Sequence, residues 1–93
     1  MRRAAITFTA AMTPTEADAL AVLMEEGRPT RPEGVLAAFL RYEDGVGTLT
    51  AVWQDAATLD AYLAVTEVPR GKELMRRIGL EPEIARYELL DFG

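Results

Sequence analysis

Hydrophobic and polar positions along the chain alternate with two periods, and the changes between them mark out the elements. In Ala4–Met12 the period is two: Ile6, Phe8, Ala10 and Met12 fall on one side, Ala5, Thr7, Thr9 and Ala11 on the other, which predicts a first strand. From Thr13 to about Glu26 the period lengthens to that of a helix, with Ala17, Leu20, Ala21, Leu23 and Met24 as the buried stripe. Thr13, Pro14 and Glu16 stand at the cap, first and third helical positions, and Gly27 suits the residue after the helix. Arg28–Gly34 carries Pro29 and Pro32 and is expected to be a loop.

The stretch Val35–Leu63 organises the rest. Val35–Tyr42 is expected to be the second strand, with Val35, Ala37 and Phe39 opposite Leu36, Ala38 and Leu40, so both faces are apolar. Glu43–Gly47 is the turn, and Thr48–Gln54 the third strand, with Leu49, Ala51 and Trp53 opposite Thr48, Thr50 and Val52. Asp55 is placed to cap a second helix whose Leu59, Tyr62, Leu63 and Thr66 share a face. Pro69 interrupts it, a further helical segment spans about Arg70–Ile78, and Gly79 stops it. After a loop at Glu81–Glu83, Ile84–Phe92 is expected to be the fourth strand, with Ala85, Tyr87 and Leu89 on one side.

The order β-α-β-β-α-β is the ferredoxin-like plan of the α+β class, a single domain over residues 1–93. Right-handed crossovers place the helices on one face of a four-stranded antiparallel sheet. The other face, including much of Val35–Leu40, is then an uncovered apolar surface, and a symmetric homodimer stacking sheet on sheet would cover it.

Composition narrows the chemistry. The chain has no cysteine and no histidine. Disulfides, thiolate nucleophiles, zinc–thiolate sites and Ser-His-Asp triads are excluded. Ten basic against 15 acidic residues, a net charge of −5, argue against nucleic acid as a partner. No apolar run reaches the length of a membrane span, and the start MRRAAITFTAAM lacks the solid apolar block of a secretory leader, so the cytoplasm is the expected location. Gly45 and Gly47 serve the turn; with no following helix and lysine they do not form a phosphate loop. The carboxylate pairs at Glu25–Glu26, Glu43–Asp44 and Glu81/Glu83 lie at helix ends and turns, where solvated charges are normal.

Several residues admit two readings. Phe8, Phe39, Trp53, Tyr62 and Tyr87 could line an aromatic pocket that binds a substrate, or could be core. Arg28 and Arg31 could clamp an anion at a pocket mouth, although a solvated loop is the favoured reading. Arg41 and Arg86 could orient an anionic ligand, but the favoured reading is structural, with each side chain either reaching to the rim or pairing with Glu43 or Glu88.

The succession of a Thr-Pro helix start, Pro-Glu-Gly-Val-Leu entering the second strand, and Ala-Val-Trp-Gln-Asp closing the third before Ala57–Leu63 resembles the antibiotic biosynthesis monooxygenase-like family, a group of dimeric α+β barrels, over roughly Ile6–Phe92. The resemblance implies a homodimer through the sheet face, a pocket between sheet and helices with Trp53 at its wall, and cofactor-independent oxidation of a small aromatic or polyketide-type molecule. It leaves open a non-catalytic dimeric module that binds a ligand or serves structure alone. Haem-degrading relatives use a histidine and an asparagine; this chain contains neither. No metal or other cofactor is expected, and the catalytic residues are left unassigned.

Overall fold

The computed structural model describes residues 2–92. Its elements run β1 (Arg3–Ala11), α1 (Pro14–Gly27), β2 (Val35–Glu43), β3 (Val46–Trp53), α2 (Ala56–Val65), α3 (Arg70–Arg77) and β4 (Glu83–Leu89), with a short 3-10 turn at Arg28–Thr30. The four strands form one antiparallel sheet in the order β2-β3-β1-β4. This is the ferredoxin-like α+β arrangement.

Local chemistry sets the element ends. The Thr13 hydroxyl accepts the Glu16 N–H while the Glu16 carboxylate accepts the Thr13 N–H, at 3.1 and 2.8 Å, so two otherwise orphaned donors are satisfied together. The β2–β3 turn is tighter than expected. Glu43 pairs with Val46, leaving only Asp44 and Gly45, both at positive φ (50° and 76°), which gives the primed hairpin geometry. Gly79, at φ 80°, ends α3; it donates to the Arg76 carbonyl while Leu80 donates to that of Met75, the double bond of a Schellman stop.

Pairing across the sheet sorts side chains onto two faces. On the helix-covered face, Trp53 lies beside Val35 and Ala4, Ala51 between Ala38 and Ile6, and Leu49 between Leu40 and Phe8. Those strand residues except Ala38, with the helical Leu20, Leu59, Leu74 and Met75, make the core. On the uncovered face, Thr50 lies between Phe39 and Thr7, and Ala5 between Val52 and Tyr87. Small residues fill its centre, and Phe39 and Tyr87 stand half exposed at opposite edges (50% and 48%). Every residue of β4 but Leu89 is exposed.

Four expectations are corrected. A bulge between Val35 and Ala37 puts Val35 on the helix face with Ala38 and Leu40, not with Ala37 and Phe39. β4 stops at Leu89, so Leu90 and Phe92 lie beyond the sheet. Gly27 is not a left-handed cap: it is the last residue of α1, and a Cβ there would come within 2.4 Å of the Arg70 guanidinium. Gly47 does not belong to the turn. It is a strand residue opposite Ala10, where a Cβ would meet the Met12 sulfur at 2.4 Å.

Gly71 is a similar point of close approach. A Cβ on it would sit 2.3 Å from the Phe8 ring, so the first turn of α3 rests directly on β1. Alanine favours a helix over glycine by about 1 kcal/mol. Overpacking against a buried ring costs about 1–3 kcal/mol and wins. Gly71→Ala is therefore expected to lower the unfolding free energy in a urea titration; an increase would show that α3 can lift from the sheet without loss.

Candidate functional site

Between the helix-covered face and the helices lies a cavity of about 80 Å³. Its existence follows from side-chain size. Ala38 and Ala51 are neighbours on the sheet, and both line the cavity, as do Trp53 on one side and Phe8 and Leu49 on the other. Two alanines between larger side chains leave a hollow that the helices bridge without filling.

Trp53 is held between Gly34 and Tyr62. It closes β3 and is 2% exposed. Gly34, at φ 95°, passes so close that a Cβ would lie 3.2 Å from the indole and 2.6 Å from Thr58. The Tyr62 ring packs against it at a centroid distance of 4.9 Å and a tilt of 38°. The helix carrying Tyr62 is set by Asp55, whose carboxylate accepts the Thr58 N–H at 2.7 Å. Hydrogen bonds from Thr58 hold the Asp55 pKa below its usual value, so the cap stays ionised into acid. The Trp53 indole N–H is buried and has no hydrogen-bond partner among the described residues. Buried polar groups are rarely left so, which makes this donor a point of interest for a ligand.

Tyr62 also organises α3. The residue before that helix is Pro69, which supplies no side-chain cap. The Tyr62 hydroxyl fills the role by accepting the Arg70 N–H at 2.9 Å. Having accepted there, it keeps its own proton to donate. The Arg70 guanidinium donates to the Gly27 and Thr30 carbonyls and to the Thr30 hydroxyl, binding α3 to the C-terminal end of α1, where a cation is favoured. Sequence reasoning did not single out Arg70: its partners lie 40 and 43 residues away.

Of the five aromatic candidates, Phe8, Trp53 and Tyr62 come together at this cavity. Phe39 and Tyr87 do not; they stand on the opposite face of the sheet, because Phe39 pairs with Thr50 and Tyr87 with Ala5. Arg28 and Arg31 both reach the cavity rim. Arg28 is paired with Glu25 at 2.8 Å. Arg86 pairs with Asp60 of α2 at 2.8 Å and not with Glu88 as expected, because Arg86 and Asp60 face each other across the helix side of β4. A second hollow of about 480 Å³ adjoins the first and shares Gly27, Pro32, Tyr62, Arg70 and Leu74 with it.

The chain superposes on solved structures along nearly its whole length. A Nitrosomonas europaea protein of unknown function matches at TM-score 0.67 and 20% identity, covering 100% of this chain and 94% of that one. A Deinococcus radiodurans protein described as a candidate antibiotic biosynthesis monooxygenase matches at TM-score 0.59 and 16% identity, covering 99% and 95%. SnoaB, a cofactor-independent oxygenase from Streptomyces nogalater, matches at TM-score 0.57 and 18% identity, covering 99% and 93%.

The chain has the fold of the antibiotic biosynthesis monooxygenase-like proteins. No family model matches the chain, and neither does any curated protein. Among the described residues there is no cluster of side chains suited to hold a metal ion, and no helix is long and apolar enough to cross a membrane.

Proposed function

We propose that the chain acts as a cofactor-independent, monooxygenase-like protein on a small aromatic molecule bound in the cavity beneath Trp53. The observation that carries this reading is an unfilled aromatic cavity between sheet and helices, within a fold shared with a cofactor-independent oxygenase. The inner space is small. An apolar cavity of about 150 Å³ holds one benzene ring, so a larger ligand extends into the adjoining hollow, past Tyr62 and Arg70.

In this reading the protein supplies binding, orientation and exclusion of water. The Trp53 N–H and the Tyr62 hydroxyl donate to ligand oxygens and stabilise negative charge as an electron-rich ring gives up a proton. The proton, lost from a ring carbon that carries two hydrogens, passes to water. The resulting carbanion transfers electrons to O₂ and combines with it, and the peroxide takes up a proton. Loss of the second hydrogen from that carbon then breaks the O–O bond, so one oxygen atom stays on the carbon as a carbonyl and the other leaves as water.

A second reading is a non-catalytic ligand-binding module. It is favoured by the inner cavity's lining, which holds no carboxylate, in a chain without histidine. In both readings the chain is a homodimer. The uncovered sheet face and the exposed β4 supply the surface, with half-exposed Phe39 and Tyr87 flanking a centre of small residues.

O₂ uptake by wild type distinguishes these readings, and Ala51→Leu tests whether the cavity is the site. The larger side chain enters the cavity at a cost of no more than about 1–3 kcal/mol, so the fold persists. Wild type is expected to bind the tricyclic hydroxyarene dithranol and to accelerate its O₂ uptake in an oxygen electrode; Ala51→Leu is expected to do neither. Binding without O₂ uptake would favour the non-catalytic module. Absence of binding to wild type would contradict both.

A further inference from the structure

Resting on the reading of the cavity as an aromatic-ligand site, we propose that its ligand carries a negatively charged oxygen, a carboxylate or ionised phenol, that pairs with the guanidinium of Arg31. The charge pattern is the reason. The chain has 15 acidic and 10 basic residues, yet the charged side chains lining the inner cavity are Arg28, Arg31 and Arg70, with no acidic residue among them.

Two of the three are already engaged. Arg28 is paired with Glu25, and Arg70 donates to the carbonyls at the end of α1. Arg31 has neither an ion pair nor a side-chain hydrogen bond among the described residues. It is only partly exposed, and it stands beside an apolar cavity rather than out in solvent. The outer hollow differs: there Glu26 and Glu73 balance Arg70 and Arg77, and Glu73 is paired with Arg77. The unspent positive charge is thus at the inner cavity.

Backbone geometry fixes the position of Arg31. Its N–H donates to the Arg28 carbonyl at 3.2 Å, closing the 3-10 turn. Pro32 follows it and also lines the cavity. A guanidinium presented beside an apolar wall forms a forked, charge-assisted bond to a carboxylate more readily than a lysine would. With a net charge of −5 the whole protein repels anions, so attraction has to be local.

The test uses a matched pair of probes, naphthalene-2-carboxylate and naphthalene-2-carboxamide, titrated calorimetrically at one fixed ionic strength. Wild type is expected to bind the carboxylate about 10- to 100-fold more tightly than the amide, the range for a hydrogen bond to a charged group. Arg31→Gln is expected to lose that preference while binding the amide as before, and Arg31→Lys to keep part of it. Arg31 makes no side-chain bond among the described residues, so unchanged thermal unfolding of these variants is the folding control. Equal binding of both probes to wild type, or a preference that survives Arg31→Gln, overturns the anion proposal and leaves the aromatic-site reading standing. Failure of both probes to bind removes both.

Discussion

Trp53→Ala is expected to lower the unfolding free energy by about 3–5 kcal/mol, the range for deleting a buried aromatic side chain. A domain this small is stable by about 5–15 kcal/mol, so the variant approaches the folding threshold. The size of the effect follows from what the ring supports. Trp53 is 2% exposed, it is the surface against which Tyr62 packs, and Gly34 lies on it. Losing it also loosens Tyr62, whose hydroxyl accepts the first N–H of α3.

Trp53→Phe separates packing from chemistry. It keeps most of the apolar area and removes the unpartnered N–H, whose burial itself costs about 1–3 kcal/mol. Its loss of stability is expected to be well below that of alanine, whereas ligand affinity and turnover fall. Urea unfolding and the dithranol assay measure the two effects. Equal losses of stability in both variants would show that the indole N–H has a partner in the folded protein.

Phe39→Glu is expected to convert the proposed dimer to a folded monomer. Phe39 is half exposed within one chain, so a glutamate there is solvated and costs the monomer little. In a sheet-on-sheet dimer the same carboxylate is buried twice by symmetry, on a face whose row across the sheet at position 39 continues with the small residues Thr50 and Thr7. Several kcal/mol of desolvation correspond to a rise in dissociation constant of at least about 100-fold. Native mass spectrometry of wild type and variant reads this directly. A variant that stays dimeric would place the interface elsewhere on the surface.

These two residues also show what was legible in the sequence. Element order, the Thr13–Glu16 box and the Gly79 stop rest on local spacing, and the uncovered face on the handedness of the crossovers; the structure has them. Side-chain faces were harder. Val35–Leu40 is apolar at every position, so alternation gave no warning that a bulge moves Val35 to the other side. Phe39 and Trp53 looked alike as aromatic strand residues, and pairing across β3 is what separates them.

The cavity was illegible for a different reason. Ala38 and Ala51 mark it by being small, and a small side chain in a strand carries no signal until its neighbours are known. Gly27 and Gly71 likewise look like ordinary helix-end residues. Their need for glycine comes from Arg70 and Phe8, distant in sequence. The aromatic and arginine types at the site were visible from the start, but their convergence was not.

Ligand entry into the cavity beneath Trp53 can be read at the indole itself. Because the chain has one tryptophan, a nitrogen–proton correlation spectrum contains a single indole signal from this site. We would follow that signal while adding naphthalene-2-carboxylate to wild type and to Ala51→Leu. A saturable shift in wild type that is absent in Ala51→Leu is the predicted result. An indole signal that stays in place in wild type throughout the titration would contradict the account.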